Sequence, residues 1–163
     1  MIGGKVWKYG DHVNTDLIIP GRYLDDYDVN NLAAHAMEDI DPSFAASVRT
    51  GDIIVAGRNF GCGSSREQAP LALKAAGVGA IIAESVARIF YRNAINVGLP
   101  TIVCSEAVGL VEGGDEIEID FSEGLIRLPR YGRCVRFDPL PPFLLKILDE
   151  GGLVPYMQGK LSR

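Results

Sequence analysis

Residues 59–67 carry the side chains with the clearest potential for chemistry in this chain. They read Asn-Phe-Gly-Cys-Gly-Ser-Ser-Arg-Glu, so two glycines precede two adjacent hydroxyls and an arginine. The apolar stretch 52–57 predicts a buried strand before them, and the segment from Arg66 to Gly77 predicts a helix after them. A glycine-rich turn between a strand and a helix favours anion binding, because free N–H groups and the helix dipole point at the turn. The pattern therefore predicts a site for a carboxylate or a phosphate.

The same residues also fit a purely structural role. Ser64 and Glu67 match a capping box, in which the serine accepts a hydrogen bond at the helix start and the glutamate reaches back. Two features favour a binding role instead. Arg66 offers a bidentate carboxylate donor beside two hydroxyls. Pro70 inside the predicted helix violates a local rule, as residues near functional sites tend to do.

Two known phosphate-binding motifs do not match this turn. A P-loop requires Lys followed by Ser or Thr after its last glycine, whereas Ser64, Ser65 and Arg66 follow Gly63. A dinucleotide fingerprint requires a third glycine where this chain has Arg66. Glu84 lies near the position of a ribose-binding acid, but that match alone is weak. Nucleotide binding is therefore disfavoured.

The composition limits the class of protein. With 163 residues and 47% hydrophobic content, we expect a single domain spanning residues 1–163. A net charge of −5 and a pI near 5.0 argue against a nucleic-acid partner or an anionic membrane surface. No apolar run reaches the roughly 18–20 residues of a membrane span, and the N-terminus lacks a secretory signal. These features predict a cytoplasmic protein.

The metal-ligating side chains are sparse. Cys62, Cys104 and Cys134 form no C-x-x-C pair, and His12 and His35 are the only histidines. Neither set makes a self-contained zinc or iron–sulfur site, so we predict no metal on this chain. An odd number of cysteines also argues against a disulfide framework.

The remaining pattern predicts a mixed α/β fold. Alternating apolar runs and helical periods from residue 52 to residue 103 predict a β–α–β–α–β unit with a parallel sheet. Within it, Ser85 is predicted to cap a helix whose buried stripe includes Ile89 and Phe90. Alternation of apolar and polar residues after residue 115 predicts antiparallel hairpins. Strands are expected at 6–9, 52–56, 80–83, 100–103, 116–121, 125–128 and 134–137, with further helices at 28–38, 43–48 and 143–148.

Three blocks of the sequence together resemble the small subunits of isopropylmalate isomerase (3-isopropylmalate dehydratase), in the aconitase superfamily. The blocks are 14–24, 51–67 and 87–100, and the resemblance covers nearly the whole chain. It implies a swivelling β/β/α domain, with one mainly parallel and one antiparallel sheet flanked by helices. It also implies a large partner subunit that carries a [4Fe–4S] cluster. The pair would dehydrate a small 2-hydroxy di- or tricarboxylic acid and rehydrate it on the neighbouring carbon, in leucine biosynthesis for this family.

The resemblance also implies roles for individual residues. Ser64 would be the catalytic base, acting as an alkoxide, and Ser65 and Arg66 would bind a substrate carboxylate. A recognition loop would contribute further substrate contacts through Arg22, Tyr23, Leu24 and Asp25. Homoaconitase-type relatives carry an arginine after the Tyr-Leu pair, whereas this chain has Asp25, which either turns outward or pairs with Arg22. We therefore favour isopropylmalate, with homocitrate or dual specificity as the alternative.

Other interpretations remain open on the sequence. A stand-alone carboxylate-binding module could use the same turn without a partner. Arg88 and Arg92 lie one helical turn apart, where an anionic neighbour would relieve their repulsion, although a solvent-facing or subunit-facing pair fits as well. Asp16 is expected to order its loop. Exposed sheet edges predict that the isolated subunit forms a homo-oligomer.

Overall fold

The computed structural model describes residues 1–25 and 28–161. Seven strands and eight α-helices lie in these ranges, with short 3-10 helices at Gly21–Tyr23 and Pro129–Tyr131. The strands are β1 Ile2–Lys8, β2 Ile53–Ala56, β3 Ala80–Ala83, β4 Thr101–Val103, β5 Glu116–Asp120, β6 Leu125–Leu128 and β7 Arg133–Arg136. The helices are α1 Thr15–Ile18, α2 Val29–Ala34, α3 Phe44–Ser47, α4 Gln68–Ala76, α5 Arg88–Asn96, α6 Ser105–Leu110, α7 Pro142–Asp149 and α8 Leu153–Leu161.

The strands follow the order β4-β3-β2-β1-β5-β6-β7. Strands β1 to β4 are parallel, with Val6 opposite Ile53, and β5 to β7 continue from β1 as antiparallel strands, with Ile2 opposite Ile119. The predicted combination of parallel and antiparallel strands is confirmed. The two sets meet at β1, whose residues 2–5 pair with β5 and whose residues 6–8 pair with β2.

The core lies on both faces of the parallel strands. Every residue of β2 and β3 is buried, which explains why these strands are continuously apolar. Alternate side chains point to opposite faces, so Ile54 and Ile81 pack with the residues of α2, α4 and α5. Ile53 and Ile82 pack on the other face with α6 and the inward side chains of β5 to β7. Both faces of the sheet are therefore covered, and the ends of its strands are left for a site.

The helix after the glycine turn begins later than predicted. Helix α4 starts at Gln68, and the preceding Glu67 makes no side-chain capping bond. The structural alternative, a capping box formed by Ser64 and Glu67, is therefore wrong. Pro70 is the third residue of the helix, where a backbone N–H has no helical acceptor, so the proline does not violate a local rule as predicted. Ser64 and Ser65 lie in the turn, ahead of the helix.

The next helix also differs from its prediction. Helix α5 starts at Arg88, and Ala87 precedes it without a side-chain cap. Ser85 instead accepts a hydrogen bond from the Asn59 backbone N–H at 2.8 Å, so it fastens the glycine turn. Ile89, predicted on the buried stripe, is exposed, whereas Phe90 is buried as expected. The buried stripe of α5 is therefore narrower than its sequence suggests.

Three helices were not predicted, namely α1, α6 and α8. The first and second of these have only four and six residues, too short for a helical period to emerge from the sequence. In α8, Pro155 and Gly159 weaken the helical signal. Over residues 1–25 and 28–161, no helix is long and apolar enough to cross a membrane.

Candidate active site

The glycine turn lies at the carboxyl edge of the parallel strands, between the segments that leave β1 and β3. Toward the first segment, the Gly61 N–H donates to the Val13 carbonyl at 2.8 Å and the Thr15 N–H donates to the Cys62 carbonyl at 2.9 Å. Toward the second, the Ala87 N–H donates to the Phe60 carbonyl at 2.9 Å. Backbone bonds on both sides therefore fix the position of residues 60–62.

Two positions in the turn require glycine. Gly61 and Gly63 have φ angles of +79° and +100°, a region that side chains disfavour. A Cβ on Gly61 would lie 2.2 Å from Cγ of Phe90, well inside van der Waals contact. The first glycine thus lets the turn pack directly on α5, and this close approach forms the wall of a cleft.

The cleft has a volume of about 300 Å³ and is open to solvent. It brings together Ser64, Ser65 and Arg66, which the sequence singled out. The two glycines of the turn, Gly61 and Gly63, line it as well. Residues that the sequence did not assign to the site come from α1 and from the start of α5, namely Thr15, Ala87, Arg88, Ile89, Phe90 and Asn93.

The backbone of Ser64 is held by Thr15. The Thr15 hydroxyl donates to the Ser64 carbonyl at 3.1 Å, and Thr15 is only 2% exposed. Ser64 and Ser65 are themselves exposed. The structure therefore combines a buried anchor on the main chain with a hydroxyl that a ligand can reach.

Arg66 is ion-paired with Asp16 through Nη1. The Arg66 side chain is 18% exposed and that of Asp16 is 64% exposed, so the carboxylate lies on the solvent side of the guanidinium. A Cβ on Gly21 would lie 3.8 Å from Nη1 of Arg66, which places the backbone after α1 beside the same group. Asp16 thus orders more than its loop: it fixes the arginine of the cleft. The guanidinium has five N–H donors, so others remain for a ligand.

The helix end that borders the cleft belongs to α5. Its first intrahelical bond joins the Tyr91 N–H to the Ala87 carbonyl, so the N–H groups of residues 88–90 precede that bond. These residues line the cleft, and the positive end of the helix dipole favours an anion there. The sequence pointed to α4 for this role. The helical periodicity of α5 did not predict that its first turn would line the same cleft as Ser64 and Ser65.

The predicted recognition loop does not line the cleft. Arg22 pairs with Glu38 at 2.9 Å and with Asp39 at 2.9 Å, so the suggested pairing with Asp25 is wrong. The hydrogen bonds to Asp39 raise the pKa of Arg22 further above its ordinary value. The Tyr23 ring stacks on His35, with ring centres 3.9 Å apart.

The rest of the loop divides between the core and the solvent. Leu24 packs partly buried against the core. Asp25 is exposed, in agreement with the alternative in which its side chain turns outward. Asp26 lies outside the described residues.

Arg88 and Arg92 have different surroundings. Arg88 lines the cleft, whereas Arg92 lies one turn further along α5 on a neighbouring groove. Among the described residues, neither guanidinium has an ion-pair partner within 4.0 Å. Arg88 therefore contributes an uncompensated positive charge at the cleft.

Cysteine and histidine do not assemble into a ligand set in the described part of the chain. Cys62 is half-buried within the turn, Cys104 is buried and Cys134 is exposed, and all three are free thiols. No group of three or more His, Cys, Asp or Glu side chains is placed to hold a metal within residues 1–25 and 28–161. His12 is exposed, and His35 closes α2 next to Tyr23.

Comparison with known proteins identifies the architecture around this cleft. The model of the aconitase C-terminal domain matches residues 11–107, a range that contains every lining residue of the cleft. The 3-isopropylmalate dehydratase small subunit of Clostridium beijerinckii is 56% identical over 159 residues, covering 98% of this chain and 99% of that protein. The chain belongs to the family of 3-isopropylmalate dehydratase small subunits.

A solved structure supports the same family. The crystal structure of a 3-isopropylmalate dehydratase protein from Methanocaldococcus jannaschii superposes with a TM-score of 0.93 at 46% identity, covering 98% of this chain and 95% of that chain. A protein named methanogen homoaconitase small subunit, from Methanothermobacter thermautotrophicus, is 58% identical over 154 residues, covering 94% of this chain and 89% of that protein. Small subunits named for two different enzymes are therefore similar to this chain to nearly the same degree, at 56% and 58% identity.

Proposed function

We propose that this chain is the small subunit of a two-subunit hydro-lyase that interconverts 2-isopropylmalate and 3-isopropylmalate in the cytoplasm. The observation that carries the proposal is the convergence of Ser64, Ser65, Arg66 and the α5 N-terminus on one cleft of about 300 Å³. A hydroxyl, a guanidinium and a helix end supply a proton acceptor and two anion-stabilising groups. This set matches a reaction that removes a proton next to a carboxylate.

Ser64 is proposed to act as the base. Its Oγ, deprotonated, takes the proton from the carbon beside a carboxylate, and the electron pair of the C–H bond is delocalised into that carboxylate. Expulsion of hydroxide from the adjacent carbon then gives the alkene diacid. Return of the proton and the hydroxyl to exchanged carbons gives the isomer. The alkoxide is an anion, and the aci-carboxylate group of the intermediate carries two negative charges, so each is favoured by the α5 dipole and by Arg66.

Ser65 and Arg66 are proposed to hold a substrate carboxylate. The ion pair with Asp16 occupies Nη1 of Arg66, so the substrate would use the remaining N–H donors. Arg88 adds a second positive charge at the cleft and suits the other carboxylate of a diacid. This arrangement explains why one cleft carries two arginines and two hydroxyls.

The cleft is open to solvent in this chain, and this explains why a partner subunit would be needed for catalysis. Ser64 and Ser65 are exposed in this chain, whereas a serine alkoxide requires a site from which bulk water is excluded. We propose that the large subunit closes the cleft, with this chain moving as a swivelling domain against it. A [4Fe–4S] cluster on that subunit would supply the Lewis acid that polarises the departing hydroxyl. The residues of this chain would bind the carboxylates and handle the proton.

The loop of Arg22, Tyr23, Leu24 and Asp25 is proposed to select the substrate. Gly21 lies beside Arg66, so the loop starts next to the cleft. A third substrate carboxylate facing Asp25 would cost roughly 1–4 kcal/mol at 4 Å under surface-like screening. An apolar isopropyl branch carries no such cost, so isopropylmalate is favoured over homocitrate. The 58% identity to a homoaconitase small subunit keeps homocitrate as the second candidate.

Steady-state kinetics of the reconstituted two-subunit enzyme tests this proposal. The values of kcat/KM for isopropylmalate and for homocitrate should differ by at least tenfold in favour of isopropylmalate. An Asp25→Arg variant should narrow that ratio by raising turnover of homocitrate. A ratio that favours homocitrate in the unmodified enzyme would assign the chain to the homoaconitase type. Turnover by this chain without the large subunit would contradict the two-subunit proposal.

A further inference from the structure

An apolar groove lies between α5 and α7, and among the described residues Arg88 is the one lining residue that it shares with the cleft. It has a volume of about 400 Å³. Phe143, on its wall, leaves 57% of its surface exposed although it contacts the ring of Tyr156. Arg88 and Arg92 lie on the α5 side of the groove. The apolar side chains that line it are those of Tyr91, Ile95, Phe143, Leu144, Ile147 and Leu153.

The groove is continuous with the cleft on one side and with a second depression on the other. Arg88 lines both the cleft and the groove. Tyr91 lines both the groove and a depression of about 340 Å³ that includes Val103, at the end of the edge strand β4. Val103 is 53% exposed. We call this surface, defined by Arg88, Tyr91, Arg92, Val103 and Phe143, the α5 face.

Size and charge indicate what the α5 face binds. A specific protein interface buries about 800 Å² on each partner, far more than the opening of the cleft can supply. The partner that closes the cleft must therefore cover adjoining surface, and the α5 face adjoins it through Arg88. Large apolar side chains at the centre and arginines beside them are typical of protein interfaces. Arg92 lies on the groove and not on the cleft, and it lacks an ion-pair partner in the described part of the chain, so the complementary surface should carry carboxylates near it.

We propose that the α5 face is the docking surface for the large subunit, and that a segment of that subunit with apolar side chains flanked by carboxylates occupies the groove. This inference rests on one part of the proposed function, namely that the chain binds a large subunit. The cleft and the groove would then be covered together, so that one binding event both excludes water from Ser64 and anchors the complex.

Binding of the purified large subunit to variants of this chain tests the proposal. Phe143→Asp and Val103→Asp place a carboxylate on exposed apolar positions, one in the groove and one in the second depression. Each should raise the Kd measured by calorimetry at least tenfold, while kcat at saturating large subunit stays near that of the unmodified enzyme. Val29→Asp is the matched control, since Val29 is 42% exposed on α2, which packs mainly on α4, and this residue lines neither the cleft nor the groove. Its Kd should remain within twofold.

Arg92→Glu adds an electrostatic readout. Charge reversal should weaken binding by at least tenfold at low salt, with a smaller loss at high salt, because exposed charges are screened. This variant also keeps the test decisive if an apolar-to-Asp variant fails to fold, as checked by circular dichroism.

Unchanged Kd values in the folded variants would overturn the proposal. The proposal would also be overturned if the variants lost only self-association, measured by analytical ultracentrifugation without the large subunit. The α5 face would then bind a second copy of this chain. Repeating the binding series in a Ser64→Ala background separates the two proposals. Docking needs no turnover, so an error in the catalytic assignment leaves these affinities unaffected.

Discussion

Asp16 and Arg66 form an ion pair across fifty residues of sequence, and this pair links the helix that follows β1 to the glycine turn that follows β2. It fixes the guanidinium beside Ser65 before any substrate arrives. The carboxylate of Asp16 is exposed and the guanidinium of Arg66 is largely covered. Asp16 therefore contacts the guanidinium from the solvent side, and the other N–H donors of Arg66 remain available to a ligand in the cleft. Site geometry in this chain is therefore set between segments far apart in sequence.

Removal of the Asp16 charge should affect substrate binding more than folding. In Asp16→Asn, a charge-assisted hydrogen bond of Arg66 becomes a neutral one. Because the Asp16 side chain is 64% exposed, the loss is about 1 kcal/mol, and the guanidinium samples more orientations. We expect KM for isopropylmalate to rise by roughly 3–10-fold with a smaller change in kcat, measured in the reconstituted enzyme. A KM at or below that of the unmodified enzyme would mean that Asp16 competes with the substrate.

Thr15 is expected to act as a positioning residue for Ser64. Thr15→Val keeps the shape of the side chain but leaves the Ser64 carbonyl without its donor, at a cost of about 1–3 kcal/mol. The looser turn should lower kcat by roughly tenfold while KM changes little. Thr15→Ser retains the hydroxyl and should restore most of the turnover. Equal turnover in the Val and Ser variants would contradict a role for the hydroxyl.

The contact of Gly61 with Phe90 should make the turn intolerant of a single methyl group. Gly61→Ala combines a positive φ with a Cβ placed 2.2 Å from the ring, so we expect a loss of about 2–4 kcal/mol in the free energy of unfolding. Urea denaturation measures the loss. Gly109→Ala is the control, because a Cβ there meets nothing within 4 Å and the residue lies in α6. That substitution should be neutral or stabilising, and similar losses in both variants would refute the steric argument.

Much of the fold could be predicted from local patterns. The continuously apolar segments at Ile53–Ala56 and Ala80–Ala83 indicated strands buried on both faces, and the alternation in Glu116–Asp120 indicated a strand with one exposed face. These signals are local, because each residue of a strand reflects the burial of its own side chain. The patterns could not predict that β1 pairs with both parallel and antiparallel strands, since strand pairing depends on residues far apart in the sequence.

The site was predicted only in part for the same reason. The types and spacing of Ser64, Ser65 and Arg66 marked the turn. No local feature indicated that Thr15 would anchor it or that α5, rather than α4, would direct its N-terminus at the cleft. Pro70 was misinterpreted because the start of α4 was placed too early. Functional groups from separate segments come together only through tertiary packing. No short stretch of the sequence carries enough information to predict that packing.

The stability of the chain should depend on Asp115 in acid. Its carboxylate accepts from the Glu112 N–H at 2.9 Å, from Arg130 at 2.7 Å and from the Tyr131 hydroxyl at 2.7 Å. These bonds lower the pKa of Asp115 from 3.8 to about 2. Because the folded pKa lies below the unfolded one, the stabilisation is fully present above pH 4 and is lost as the pH falls toward 2.

Comparison with Asp115→Asn isolates this contribution. The difference in unfolding free energy between the unmodified chain and the variant should be constant near neutrality and should shrink as the pH is lowered from about 4 to about 2. Urea denaturation across this range measures it. A difference that grows in acid, or that stays constant down to pH 2, would contradict the assigned pKa.

The most direct test of the account is single-turnover kinetics of Ser64→Ala in the reconstituted enzyme. If Ser64 is the base, loss of its oxygen should lower the rate of proton abstraction by about 10²–10⁴-fold, the usual contribution of general base catalysis, while the large subunit binds with unchanged Kd. Exchange of the substrate C–H proton with deuterated solvent should slow in parallel. Proton exchange and turnover at the rate of the unmodified enzyme would contradict the assignment of Ser64.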